Sequence, residues 1–264
     1  MKKLSLLLLL TFGLWSATAS VTDTELALKQ AFDALHVAED DSTVAACNRK
    51  ICQLVNQAVA TDSVFDHAFV TVTGLGSVYS DDNRLRILSW NYRLTDGSYG
   101  YEAYFLLRTK KKLLTEHWSS DNAQKPKEHG IYNAKNWYGC LYYKAFAQKD
   151  RYILLGYSMY SDITKIKVIE VLDTDSNQLK LGAPVFQPGK KPQHRCVFEY
   201  SAKANMNIEY DPEHQRFIFD HLSPSEPAFE GVYAYYGPDF TFDSLALKKK
   251  LWTLESDIDI KNKE

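Results

Sequence analysis

The feature that most constrains this chain is a side-chain alternation of period two that begins near Val64 and continues almost to the end. Its runs are rich in aromatic and β-branched residues and are separated by short turns of Asp, Asn, Gly and Pro, which is typical of β-strands. Links this short favour antiparallel hairpins over helical crossovers. The strands predicted on this pattern lie around 85–90 and 101–108 and at Trp137–Phe146, Tyr152–Tyr160, Lys165–Leu172, Arg195–Ala202, Asn207–Tyr210, Arg216–Leu222, Gly231–Tyr236 and Lys250–Leu254.

Several of these strands are apolar on both faces, notably 138–146 and 152–160, so they need cover on two sides. A single open sheet would leave one face wet. The pattern therefore predicts an antiparallel β-meander packed as a sandwich, a curled barrel or a partial propeller-like body. Residues 110–135 are polar and lysine-rich, and we expect a long exposed loop there.

Ahead of the β-pattern, residues 23–60 show helical periodicity. Thr22 or Asp23 is placed to cap a first helix, and Ser42 or Thr43 to open a second one after a short acidic turn. The fold class that follows is α+β, mostly β, with an N-terminal helical pair.

The first residues predict a signal peptide. Lys2 and Lys3 are followed by an apolar run with five consecutive leucines and then by Ala17-Thr18-Ala19, a small-residue cleavage pattern. Cleavage is expected between Ala19 and Ser20, with no stable membrane span afterwards. We expect an exported protein, periplasmic or secreted, divided into a signal peptide (1–19), a helical segment (20–62) and a β-rich domain (63–264).

The counts of charged residues and cysteines limit the kinds of partner and cofactor that the sequence predicts. Lys plus Arg number 31 and Asp plus Glu 33, a net charge of −2, so bulk electrostatics favour no nucleic acid. Export would place Cys47, Cys52, Cys140 and Cys196 where disulfides persist, and their pairing stays open. On an unbroken helix, the first two thiols would point about 140° apart. No CxxC or HxxxH spacing occurs, so neither a metal site nor a cofactor is predicted.

Long pieces of the β-region resemble a family of exported, uncharacterised bacterial proteins with an N-terminal helical stretch and a β-rich body. They include LRILSWNYRLTDGSYGYEAYF, NWYGCLYYKAF, KIKVIEVL, VFEYSAKANMNIEYDPEHQRFIFDHLSP and GVYAYYGPDFTFDSL, within about 77–259. Two turns depart from the family pattern: Asp81-Asp82-Asn83 replaces a proline-aspartate-glycine turn, and Gly156-Tyr157-Ser158 a glycine-tryptophan-aspartate piece. The resemblance implies export and β-structure and brings no activity.

Catalytic signatures are absent from the sequence: it has no G-x-S-x-G, no H-E-x-x-H and no phosphate-binding glycine loop. Asp220 and His221 are adjacent on a strand and should point apart. Glu116-His117 and Glu128-His129 could hold a metal together, although such residues in loops are ordinarily just solvated. Strand carboxylates at Glu170, Glu199 and Glu209, with Asp211 at a turn, would suit glycoside hydrolysis if two of them faced each other across a cleft.

Aromatic residues are the other notable feature, with 17 Tyr and 13% aromatic residues overall. Exposed Tyr and Trp faces suit sugar rings or another protein, and the alternative is that the rings fill the core. The residues we nominate for ligand binding are Trp90, Tyr92, Tyr101, Trp137 and Tyr143, and 233–236 is a further cluster. The expected function is a non-enzymatic binding or interaction module for an unknown protein or glycan. The alternative is a hydrolase of glycan or another cell-envelope polymer.

Overall fold

A computed structural model describes residues 21–174 and 178–259. The predicted signal peptide and its cleavage site lie outside these residues. Within them, neither helix is both long and apolar enough to cross a lipid bilayer.

Two helices open the described chain, α1 (Val21–His36) and α2 (Asp41–Val59). The second begins ahead of the predicted Ser42 or Thr43 because the Asp40 carboxylate caps it. The Thr43 amide donates to Asp40 Oδ1 at 2.9 Å and the Thr43 hydroxyl donates to Oδ2 at 2.6 Å. α2 then runs unbroken through Cys47 and Cys52, and all four cysteines of the described residues are free thiols.

Fourteen strands follow within the described residues, and they form three sheets that are almost entirely antiparallel. Their bounds are β1 (Gly76–Tyr79), β2 (Leu85–Arg93), β3 (Tyr99–Arg108), β4 (Leu113–Ser120), β5 (Leu141–Gln148), β6 (Arg151–Ser158), β7 (Thr164–Asp173), β8 (Lys180–Leu181), β9 (Phe186–Gln187), β10 (Arg195–Ser201), β11 (Ile208–Asp211), β12 (Arg216–Pro224), β13 (Tyr236–Lys248) and β14 (Leu251–Glu255). The α+β, mostly β prediction is confirmed.

The sheets pack face to face. The first sheet has the order β1-β2-β3-β4, the second β10-β7-β6-β5 with β8 beside β7, and the third β11-β12-β13-β14-β9. One face of the first sheet packs on the helices, and the other on the second sheet, whose far face packs on the third sheet. The alternation in β2 follows this layering, since Ile87 lies against the second sheet while Leu88 and Trp90 lie under the helices. Strands apolar on both sides are therefore covered on both sides, as in a sandwich.

Two strand predictions were wrong. The expected loop at 110–135 contains β4, an edge strand in which only Trp118 is fully buried, so its sequence lacks a strong hydrophobic alternation. The expected strand Gly231–Tyr236 is not a strand. Tyr233–Tyr235 form a turn of 3-10 helix, and β13 begins only at Tyr236. These rings lie where the chain has left the third sheet, so no neighbouring strand pairs with them.

A buried ion pair fixes the second sheet and the chain segment around it. Arg195 Nε donates to Glu170 Oε2 at 2.9 Å, and both side chains are 0% exposed. The Tyr138 and Tyr142 hydroxyls donate to the other carboxylate oxygen at 2.6 and 2.9 Å. The remaining Arg195 donors reach carbonyl groups of Lys127, Gly130 and Leu181. Every polar atom of this buried group thus has a partner, as burial requires.

Candidate functional site

The five residues nominated from the sequence do not form one exposed surface. Trp90, Tyr101 and Trp137 are at most 4% exposed, and Tyr92 and Tyr143 are half-buried. They are also spread over all three core layers: Trp90 and Tyr92 pack under the helices, Tyr101 and Trp137 between the first and second sheets, and Tyr143 against the third sheet. Their ring faces serve packing.

The exposed aromatic residues of the described chain lie instead in the segment that joins β12 to β13 and in the first part of β13. Tyr233 is 38% exposed, Tyr235 49% and Phe240 93%. The cluster at 233–236 was visible in the sequence. Phe240 was not nominated, because little in the sequence indicates that it is exposed. Its only local signal is the preceding Gly-Pro-Asp turn, near the start of β13.

Hydrogen bonds close this segment onto itself. The Ser225 amide donates to the Tyr235 carbonyl at 3.0 Å, and the Gly231 amide donates to the Tyr236 hydroxyl at 3.0 Å. Gly231 has a φ of +81°, which a residue with a side chain rarely adopts. The rings of Phe229 and Tyr235 stack with centroids 4.0 Å apart and an interplanar angle of 11°. The Tyr235 ring is therefore held in place although it is half exposed.

A cleft of about 770 Å³ lies beside these rings. Tyr235, Tyr236 and Phe240 supply its aromatic lining. Its polar lining includes Asp162, Ser201, Lys203, Ser223 and Asp239, from the β6–β7 turn and the ends of β10, β12 and β13. We call this the aromatic cleft. Aromatic faces next to hydroxyl, carboxylate and ammonium groups are a combination suited to a polar ligand with an apolar face.

His221 lies close to two acids, Asp239 and Asp243, and Asp239 lines the aromatic cleft. The register between β12 and β13 shifts between Asp220 and Leu222, where β13 contains two extra residues between Pro238 and Phe242. His221 Nδ1 lies 2.8 Å from Asp243 Oδ2, and Nε2 lies 3.9 Å from Asp239 Oδ2. Asp220 instead accepts a hydrogen bond from the Asn207 amide at 2.7 Å, so the partner of His221 comes from β13 rather than from its neighbour in sequence.

His221 and Asp239 each favour the charged form of the other. The hydrogen bond to Asp243 raises the pKa of His221, against the opposing effect of burial. Burial of Asp239 favours its neutral form, but hydrogen bonds from Thr241 and the nearby His221 outweigh it and lower its pKa. Asp239 therefore presents a carboxylate at the cleft.

Tyr233 lines a second cleft of about 580 Å³. Lys125 Nζ lies 2.5 Å from Glu199 Oε2 and 4.5 Å from the Tyr233 ring centroid. The Tyr160 hydroxyl donates to the other oxygen of Glu199. Glu199 is thus already neutralised by a lysine and held by a tyrosine.

The other sequence candidates are separated. Glu116 accepts hydrogen bonds from Trp118 Nε1 and the Leu179 amide, whereas His117, on the opposite face of β4, contacts Glu102. Glu128 and His129 line the second cleft, and the described residues do not bring the two Glu-His pairs into one group of ligating atoms. Among the strand carboxylates, Glu170 is fully buried and Glu209 is exposed on β11.

No protein-family model, curated protein or solved structure matches this chain.

Proposed function

We propose that this protein is an exported, non-enzymatic binding protein that holds a glycan in the aromatic cleft. The observation that carries the proposal is the exposure of Tyr235 and Phe240 beside a cleft with polar lining, in a chain whose other large aromatic residues mostly fill the core. Export rests on the sequence pattern of residues 1–19.

The chemistry of the cleft matches a sugar. A pyranose ring offers an apolar C–H face to an aromatic ring and hydroxyl groups around its rim. Tyr235 supplies an oriented ring face, and Asp162, Lys203 and Asp239 supply charged groups that accept from or donate to hydroxyls. The φ of Phe240 is +71°, a conformation that bulky residues rarely adopt and that tends to occur at functional sites.

The buried position of Glu170 speaks against the alternative of hydrolysis through strand carboxylates. Glu170 is 0% exposed and paired with Arg195, so no polymer can reach it, and Glu199 already holds Lys125. The acids that line the aromatic cleft are Asp162, in the β6–β7 turn, and Asp239, near the start of β13. Neither is one of the strand carboxylates on which that alternative was based.

The test is a glycan array probed with the purified chain, followed by calorimetric titration of a retained oligosaccharide. Tyr235→Ala and Phe240→Ala should each weaken binding about tenfold, which corresponds to about 1.4 kcal/mol. Val232→Ala is the matched control, because Val232 is 46% exposed in the same segment but does not line the cleft. Retention of no glycan, or equal binding by all three variants, would overturn the proposal.

The same titration separates binding from hydrolysis. The retained oligosaccharide should be recovered intact after long incubation with the protein. New reducing ends in the wild type, absent from a matched sample without protein, would assign hydrolase activity instead.

A further inference from the structure

Three elements bring a thiol, a carboxylate and an imidazole together under the helices. Cys52 lies on α2, Glu102 on β3 and His117 on β4. Their ligating atoms all lie within 4.8 Å of one another. The residues are 15 to 65 positions apart in the sequence, so only the fold reveals the group.

Glu102 is the centre of this group. Its side chain is 4% exposed, its Oε1 accepts from Asn48 Nδ2 at 2.8 Å, and its Oε2 lies 2.7 Å from His117 Nε2. Among the described residues, it forms no ion pair with a lysine or an arginine. A buried carboxylate normally has a cation beside it, whereas here the imidazole of His117 and the amide of Asn48 are the hydrogen-bonding partners of its two oxygens.

The surrounding residues fix the orientation of two of the three side chains. Asn48 Oδ1 accepts from Trp90 Nε1 at 2.8 Å, which sets the amide that holds Glu102. The His117 ring stacks on Tyr104 with centroids 4.2 Å apart and an interplanar angle of 9°. Outer hydrogen bonds and packing of this kind orient the ligands of known metal sites.

We propose that Cys52, Glu102 and His117 bind one Zn²⁺ ion. Thiolate sulfur, imidazole nitrogen and carboxylate oxygen are the three ligand types that zinc takes in proteins. The side chain of His117 is 34% exposed, so the fourth position opens toward solvent and would hold water. The metal replaces the thiol proton, which leaves to solvent, and it takes the place of the hydrogen between His117 and Glu102. That hydrogen moves to Nδ1 of the neutral imidazole, so one proton is released in total.

A second group of possible ligands provides a comparison. Asp211 ends β11, and Glu213 and His214 lie in the turn that follows it; Asp211 already bonds His214 at 2.7 Å and Arg216 at 3.2 Å. Glu213 and His214 are exposed, and this group contains no thiol. We therefore use it as a control and assign it no ion.

The experiment is a titration of the purified full chain, kept reduced without added thiol, with Zn²⁺ against a chromophoric chelator, and separately with Co²⁺. We expect one bound Zn²⁺ per chain and, with Co²⁺, a sulfur-to-metal charge-transfer band. Cys52→Ser should weaken Zn²⁺ binding on the order of 100-fold and abolish that band. Cys47→Ser, on the same helix, and His214→Gln should leave both unchanged.

The proposal does not depend on the glycan site and is overturned separately. Failure of the wild-type chain to retain Zn²⁺ would overturn it. Binding that survives Cys52→Ser, or that is lost in His214→Gln, would assign the ion to another place. His117→Gln keeps a polar side chain on β4, and its circular dichroism, compared with that of the wild type, separates loss of a ligand from loss of the fold.

Discussion

The aromatic residues of this protein fall into two groups that composition alone cannot separate. Trp90, Trp118 and Trp137 are at most 4% exposed and lie between layers, whereas Tyr233, Tyr235 and Phe240 are 38% to 93% exposed outside the layers. The difference arises from cover: the first and second sheets each have another layer on both faces, so a ring on one of their central strands is enclosed whichever way it points. The exposed rings lie where the chain has left the third sheet, at Tyr233 and Tyr235, and in the irregular part of β13, at Phe240.

The hydroxyl groups of the tyrosines show the same contrast. Tyr138 and Tyr142 are buried, and both donate to Glu170, which Arg195 neutralises. Burial raises the pKa of both hydroxyls well above the usual range, so they remain protonated donors. Tyr235 is half exposed, and its hydroxyl can be solvated by water. Tyr138 and Tyr142 therefore depend on Glu170 as a partner, whereas the hydroxyl of Tyr235 can use water.

The largest effect is expected for removal of a core ring. Trp118 is fully buried on β4, and its Nε1 donates to Glu116 at 2.9 Å. Trp118→Ala should lower the free energy of unfolding by about 3–5 kcal/mol, because the cavity between the first two sheets cannot close completely. Urea denaturation measures this. A loss below about 1 kcal/mol would show that the ring is not part of the core.

A smaller loss is expected when only a buried hydroxyl is removed. Tyr142→Phe keeps the ring but takes one donor from Glu170, and it should cost about 1.5–3 kcal/mol because the acceptor is charged. The matched change Tyr235→Phe should have no measurable effect on unfolding. Equal losses in the two variants would contradict the distinction between core and surface tyrosines.

A third effect, dependent on pH, is expected where the surface segment joins the third sheet. The pKa of His221 is raised above 6.5, so its contribution to stability is full below that pH and is lost as the pH rises through the raised value. The imidazole is 42% exposed, so solvent screening should keep the contribution below about 1 kcal/mol. His221→Gln should therefore unfold more easily than the wild type at about pH 5.5, and the gap should narrow by about pH 8.5. A gap that widens with rising pH would refute this.

The smallest effect on stability is expected for a surface ring. Tyr235→Ala should change the free energy of unfolding by no more than about 0.5 kcal/mol, since the ring is half exposed. The same variant should weaken glycan binding about tenfold. A large loss of stability would place Tyr235 with the core rings instead.

Much of the fold could be predicted from side-chain spacing. The helical pair, most strands and the need for cover on both faces followed from which positions are apolar. β4 was missed because an edge strand that exposes most of its residues carries no clear alternation. The aromatic run at 233–236 was assigned to a strand because propensity does not show whether a neighbouring strand is present.

The candidate sites were harder to predict because they depend on what covers each face. Trp90 and Trp137 have the residue type of a binding surface, and only the layers packed on them show otherwise. The grouping of Cys52 with Glu102 and His117 depends on how α2 lies across the first sheet, and no local spacing encodes it.

The central claim is that the exposed rings of Tyr235 and Phe240, and not those of the core, contact the ligand. Nuclear magnetic resonance tests it directly: the protein, isotope-labelled in its aromatic residues, is titrated with a retained oligosaccharide. The account predicts shifts for the ring signals of Tyr235 and Phe240, with the indole N–H signals of Trp90, Trp118 and Trp137 unchanged. Shifts confined to the core indoles, or no shift at the two surface rings at saturation, would contradict it.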